Sequence, residues 1–351
     1  MNKEKIISKA RDAIYDNPDY SISVSDSLLK TENDIDMRAK LLLMKCNAYT
    51  SKRNYEESLK NVLEAKALLN RINDPETKVR VLISIAIQYQ QMDLFRKCLD
   101  VLDESEIQAA TLHDQSDIKS SNLGKIYALR GMVYKSQSNI ELALEKFSTA
   151  AGYLEKIIPK QRSQSTLSIV YYNMGYCYID LGKNLNAERS FTKSLFHAEG
   201  FKAKSLRAFA MKGLAETYQR EKKYIQSTEL LLKAEKLSEG IGDLLLTEEI
   251  YKLLADNYLI SNMFNQYILY NNKYRKTHFL KEQNEFKSIN RSIDTQEKEN
   301  EKRLAIMKLK YRKLDFLIAV IALFIITLLI FYIVKRKKLN SCLKKQIQEH
   351  Y

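Results

Sequence analysis

YYNMGYCYIDLGKNLNAERSFTKSL, residues 171–195, carries the pattern that decides the fold. Gly175 and Tyr178 lie three apart, on one face of a helix. Leu181-Gly182-Lys183-Asn184 reads as a turn, and Ala187, Phe191 and Ser194 follow at i, i+4, i+7, the face of a second helix. The segment therefore reads as two antiparallel helices. Small residues let the backbones approach, and tyrosine with phenylalanine fills the gap between them.

The pattern recurs along the chain. A small residue with tyrosine three later occurs at Cys46/Tyr49, Ala86/Tyr89, Gly131/Tyr134, Gly175/Tyr178, Ala215/Tyr218 and Ala255/Tyr258, at intervals of 40, 45, 44, 40 and 40 residues. Twelve residues after each small position come Ser58, Cys98, Ala143, Ala187 and Ser227, then the exception Tyr267. Sixteen after come Val62, Leu102, Phe147, Phe191 and Leu231, then Asn271; nineteen after come Ala65, Ser105, Ala150, Ser194 and Ala234, then Tyr274. Five units keep the whole pattern and a sixth keeps its first half. One helix pair cannot bury its apolar face alone, so the pairs must stack into a solenoid.

On these positions the chain resembles the tetratricopeptide repeat family, most clearly at Gly175, Tyr178, Ala187, Phe191 and Ser194. The family's usual early tryptophan is missing, with Leu42, Leu82, Tyr127, Tyr171, Met211 and Tyr251 in its place. The long period predicts helices longer than the family's by a turn or more. The expected fold is all-α: a capping helical pair at 1–31, broken at Asn17-Pro18, then about six solenoid units over 32–275. Proline is tolerated at a first helical position, which is where Pro18 falls.

Composition agrees. The 351 residues include three Pro, nine Gly and no Trp, which favours helix over strand. Cys46, Cys98, Cys177 and Cys342 are far apart and form neither a disulfide framework nor a zinc motif. The net charge of +14 is uneven: residues 276–314 and 335–351 contribute about +5 each, and residues 1–275 only about +5. That distribution points to lipid headgroups and away from direct nucleic-acid binding.

Residues 276–314 are charged and free of Gly and Pro, as a juxtamembrane helix would be. Phe286, Ile289 and Ile293, and later Leu304, Met307, Tyr311 and Leu314, follow a 4-3 spacing with a slip between them. A parallel homodimeric coiled coil within 286–314 and a solvated connecting helix both accommodate this. FLIAVIALFIITLLIFYIV, 316–334, is apolar over nineteen residues. That is enough for the ~30 Å hydrocarbon core, so 315–334 is expected to be a transmembrane helix. The basic tail 335–351 follows. Lys/Arg counts tie at six on either side, over 300–314 and 335–349, and KRKK directly against the apolar run favours a cytoplasmic C-terminus. The solenoid's side of the membrane stays open: residues 1–7 show no export signal.

The resemblance implies that the inner face of each unit's first helix binds extended peptides. By position that face includes Asn47, Thr50, Ile87, Gln90, Glu216 and Gln219. Its most apolar part, Met132, Ile169, Tyr172, Tyr176 and Ile179 with Lys125 and Lys135 beside it, suits an amphipathic segment or a peptide carboxylate. The competing reading is that these side chains are packed against neighbouring helices. His113, His197, His278 and His350 have no catalytic companions and read as surface residues. No phosphate loop, metal set, cofactor motif or catalytic residue is found, and the expectation is a non-enzyme. The order of parts, with AxxAIYDNPDYSISVSDSLL at 10–29, is similar to the sensor half of Bacteroidota membrane-bound repeat regulators. That resemblance implies an inner-membrane, single-pass receptor whose effector, a helix-turn-helix or kinase domain, would lie beyond Tyr351. The second expectation is a tail-anchored scaffold.

Overall fold

The computed structural model describes residues 3–52, 54–113, 117–158 and 163–284, and after these 304, 307, 308, 312, 323, 326–338 and 340. Two compact units result, Met1–Asn284 and Glu285–Tyr351.

The first unit is a run of helices. The cap is α1 (Lys3–Asp12) and α2 (Pro18–Leu29). Five pairs follow: α3 (Ile35–Ser51) with α4 (Tyr55–Ala67), α5 (Pro75–Gln91) with α6 (Phe95–Ala110), α7 (Asp117–Ser136) with α8 (Ile140–Leu154), α9 (Gln164–Asp180) with α10 (Asn184–Phe201), and α11 (Lys204–Arg220) with α12 (Tyr224–Ser238). α13 (Leu244–Ile260) pairs with α14, residues 264–284. Polar caps set several starts: Asn17, Asp34, Asn54, Asn139 and Asp243 each accept a backbone N–H from the first turn. Between the helices of a pair the chain reverses through a left-handed residue, Asp93, Ser138, Gly182, Lys222 or Asn262. The next N–H reaches back to the carbonyl of the repeat tyrosine, for example Lys183 to Tyr178 at 2.8 Å and Lys223 to Tyr218 at 2.8 Å.

The core follows the period. All fifteen side chains at the second-helix positions of units one to five, from Ser58, Val62 and Ala65 to Ser227, Leu231 and Ala234, are fully buried. Cys46, Ala86, Ala215 and Ala255 are buried, as are Gly131 and Gly175. Tyr49, Tyr89, Tyr134, Tyr178 and Tyr218 are half-buried, and Tyr258 is buried. The small residue and the large one are matched in size. A Cβ on Gly175 would stand 2.6 Å from the Phe191 ring, and one on Gly131 2.6 Å from Phe147. Units one, two and five place Cys or Ala there and shrink the opposing residue to Val62, Leu102 or Leu231. The small position on the second helix can also bond the first: Ser58 Oγ donates to the Cys46 carbonyl at 3.0 Å and Cys98 Sγ to that of Ala86 at 3.2 Å.

One boundary and one buried face differ from the repeat pattern. α14 continues through 275/276 to residue 284, because His278 and Lys281 bond Glu248 of α13 at 2.6 and 2.7 Å. Its buried face is shifted by one residue from the repeat register: Tyr270, stacked on Tyr258, is buried, next to the exceptional Asn271. The histidine reading changes accordingly. His278 lies between Glu248 and Glu282, and His197 stacks on Tyr171 and bonds Gln164, so both are partners within the fold.

In the second unit the described residues are helical, and Leu323, Ile326 and Leu328–Val334 are exposed. No helix among the described residues is long and apolar enough to cross a membrane. The expected span 315–334 is described only at 323 and 326–334, and the expected coiled coil in 286–314 only at 304, 307, 308 and 312. Most of both, and Cys342 and His350, lie outside the described residues.

Candidate functional site on the inner helical face

First helices of neighbouring units touch one another, α3 to α5, α5 to α7, α7 to α9, α9 to α11 and α11 to α13, whereas second helices make no comparable contact. The first helices therefore line the inside of the curve. The residue six before each small position runs along that inside as a row: Lys40, Arg80, Lys125, Ile169, Phe209 and Glu249. Three before it runs a second row: Leu43, Ile83, Ala128, Tyr172, Lys212 and Lys252.

The expected site residues separate into three groups. Ile179 is buried beside Ala187, Phe191 and Leu214, so it is core and closed to a ligand. Met132 is half-buried between the clusters of units two and three. Lys125 and Ile169 lie under the N-terminal cap: Ile169 shares an apolar cluster with Tyr15, Ala198, Phe201, Ala203 and Leu206. Tyr172, Tyr176 and Lys135 are brought together.

The Tyr172 and Tyr176 rings meet at 5.0 Å and 67°. Phe191 lies edge-on beneath both, at 5.8 and 5.1 Å, and Phe209 flanks Tyr172 at 5.6 Å. Lys135 Nζ sits 4.9 Å from the Tyr176 ring centre and donates to Asn173 Oδ1 at 3.4 Å. Lys212 Nζ approaches the Tyr176 ring at 4.8 Å and the Tyr172 ring at 5.8 Å, and pairs with Glu249 at 2.8 Å. The Tyr176 hydroxyl donates to Glu216 Oε2 at 2.9 Å. Cations over aromatic faces, desolvated and paired, are held firmly.

Electrostatics follow from burial. Burial lifts the Tyr176 phenol well above its ordinary value, with Tyr172, Glu216 and Glu249 adding to it, and burial lifts Tyr172 as well. Burial lowers the Lys135 ammonium. It would lower Lys212 too, but Tyr172 and Glu249 outweigh it and hold that group above the lysine range. The cluster is thus polar, charged and aromatic at once. It offers donors at Lys135, an acceptor at Glu216 and a half-open ring face, and it contains no nucleophile–base pair. Among the described residues no group of His, Cys, Asp or Glu could hold a metal ion.

Sequence reasoning missed Lys212, Phe209 and Glu249. A signal was present: in the second row Lys212 stands where units one to three carry Leu43, Ile83 and Ala128. A charge at a position that is apolar in the first three units is a functional or pairing residue before it is a packing one.

No protein-family model matches the chain. No curated protein does either. Solved structures are similar: BtubC (BKLC) from P. vanneervenii superposes with a TM-score of 0.53 at 17% identity, over 66% of this chain and 92% of that one. The fold is a tetratricopeptide-type α-solenoid. The hetero-tetramer Cut9–Hcn1 of the APC/C gives 0.57 at 12% identity, over 77% of this chain and 45% of that one. A signal-transduction ATPase with a tetratricopeptide repeat sensor, from Pyrococcus horikoshii, gives 0.51 at 14% over 74% and 38%. The chain thus spans less than half the length of the last two, and at these identities the likeness is one of fold alone.

Proposed function

We propose that the solenoid binds a peptide or protein segment along its inner face, and that residues 315–334 anchor it to a membrane as the sensing part of a signalling protein. The observation that carries the binding reading is the half-open Tyr172–Tyr176 pair between Lys135 and Glu216. Two rigid rings with charges of both signs at their rim form the kind of patch a peptide anchors on. A solenoid serving as a sensor has a precedent of fold in the P. horikoshii protein, whose repeats are named as one. The anchoring reading rests on the apolar run at 316–334 and on the exposed helical residues Leu328–Val334, a surface apolar but for the Tyr332 hydroxyl, which water does not favour. No step of chemistry forms part of this reading.

The binding test is a photo-crosslinking residue at Gln219, on the inner face, compared with one at exposed Glu145 on the second helix of unit three. Capture of a peptide or protein at 219 and not at 145 is expected, and equal capture at both sinks the reading. Anchoring is tested separately by alkaline carbonate washing of membranes holding the full chain, where release into the supernatant overturns it. Protease treatment of intact spheroplasts then distinguishes the two membrane roles. Digestion of the solenoid from outside fits the receptor. Protection fits a scaffold that recruits cytosolic partners, a reading that the multi-protein assembly of the Cut9–Hcn1 neighbour keeps in view.

A further inference from the structure

The N-terminal cap reaches far along the solenoid. Beyond α1 the chain lays the Tyr15 ring edge-on to Phe201, 6.0 Å away at 80°, within the apolar cluster of Ile169, Ala198, Ala203 and Leu206. The Asp16 carboxylate accepts the Lys204 N–H at 2.8 Å, at the first turn of α11, joining residues 188 apart in sequence. Ring and carboxylate together clasp the cap to the start of α11.

The repeat explains why that helix end takes a carboxylate from so far away. Twelve residues before the small position, units one, two and six carry Asp34, Asp74 and Asp243, and each accepts a backbone N–H from the first turn of its own helix. Unit five carries Ala203 there, whose side chain caps nothing. The Lys204 N–H is one of the donors that a helix leaves without an internal partner at its start. Asp16 supplies the acceptor, and its negative charge suits the positive end of the helix dipole.

The place that the clasp covers gives it a use. One turn further along the same two helices, Ile169 is followed by Tyr172 and Leu206 by Phe209, and those two rings meet at 5.6 Å. The clasp pocket and the tyrosine patch are consecutive turns of one groove between α9 and α11. Tyr15 fills the first turn as a side chain of a bound peptide would. It is held by little: Tyr15 is half-buried, Asp16 is exposed, and neither α1 nor α2 lies extensively against α9, α10 or α11. One ring and one solvent-exposed bond are weak beside the stacked helices, and contacts of that kind open locally without unfolding the rest. The tether gives the segment a high effective concentration, so the weak contact stays closed until something displaces it.

We propose that Tyr15 and Asp16 form an autoinhibitory latch, which closes the first turn of the α9–α11 groove and opens while the solenoid stays folded. Its inhibitory sense rests on the peptide-binding reading: a segment lying on Tyr172 and Phe209 extends over Ile169 only once Tyr15 has left. Release bares the apolar pocket, which favours reclosing when the groove is empty.

The test is the rate at which a maleimide labels Ile169→Cys in the folded full chain in detergent, with Cys342→Ser and with the buried native Cys98 and Cys177 as internal controls. Position 169 is expected to react about tenfold faster than the two native thiols, because the latch opens without the core, and about tenfold slower than when Tyr15→Ala and Asp16→Ala are added. Asp16→Ala alone is expected to lie between. Equal rates at position 169 with and without those two changes overturn the latch. So does a rise at Cys98 and Cys177 in step with position 169, which marks a general loosening of the fold. Inhibition is read separately, on chains that keep Ile169, by crosslinking from Gln219: capture is expected to rise up to about tenfold in the Tyr15→Ala/Asp16→Ala chain, as a closed groove lowers apparent affinity by its open fraction. Unchanged capture beside faster labelling overturns the inhibitory sense. No capture from either chain overturns the peptide reading and the inhibition with it, while the labelling rates still decide the latch.

Discussion

Lys125 and Lys212 are two lysines on the same inner surface, two units apart, and the fold treats them in opposite ways. Lys212 is provided for: its side chain is only 4% exposed, Glu249 lies 2.8 Å away, and the Tyr172 and Tyr176 rings stand over it. Lys125 is half-buried and makes no hydrogen bond or ion pair among the described residues; burial above all, with the charges of Arg80 and Arg11 outweighing Glu76, lowers its ammonium. The contrast separates two meanings of a partly buried charge. Surrounded by its complement, it is part of the structure. Buried without a partner in hydrogen-bond reach, it costs stability.

Mutating each lysine to methionine is the sharpest way to break the comparison. Lys212→Met strands Glu249 and opens the face of two rings, so a loss of about 2–3 kcal/mol is expected in denaturant unfolding. The half-exposed carboxylate keeps it below the cost of a fully buried pair. A change near zero would show that the cluster does not hold the lysine. Gly175→Ala attacks the floor instead, driving Phe191 from beneath both tyrosines. The expected loss is about 1–3 kcal/mol. Adding Phe191→Leu should recover part of it, since units that carry Ala at this place carry Leu opposite. Simple additivity of the two would show that the size matching is not a real coupling.

Lys125→Met has the opposite sign, a gain on the order of 1 kcal/mol at neutral pH. A loss there would mean that the ammonium has a structural partner. The pH dependence sharpens this. The folded chain releases the Lys125 proton near pH 8, while the unfolded chain keeps it to the ordinary value of 10.5. Between those values the unfolded state holds more protons, so stability rises with pH and the advantage of Lys125→Met fades across that window. Lys212 is raised, so its contribution is complete below 10.5 and is lost only as the pH climbs through its higher folded value. A gap between wild type and Lys125→Met that stays constant from pH 7 to 10.5 counts against the whole contrast.

The part of the molecule that repeats was readable from its sequence. Small residue, tyrosine and the later trio recur because each unit solves one packing problem, and all fifteen trio positions of the first five units are fully buried. Legibility ends where the repeat ends. In α14 the second-helix pattern gives way, and Tyr270, bonded to Glu235 and stacked on Tyr258, takes the buried place. Within the inner face, periodicity singled out Tyr172 and Tyr176 but could not tell that Ile179 turns into the core or that Ile169 lies under Tyr15. Contacts between distant units leave no trace in a forty-residue period. The meeting of Asp16 with Lys204 is of that kind.

That meeting also bears on how the chain folds. Stacked repeats touch only their neighbours, so such an array can nucleate anywhere and fray from either end. A bond across 188 residues changes the arithmetic, because closing so long a loop has an entropic cost that only the assembled intervening units can meet. The clasp therefore forms last. Once formed, it ties the first helices to the start of α11, and the units between them gain a common fate: they open together or stay shut.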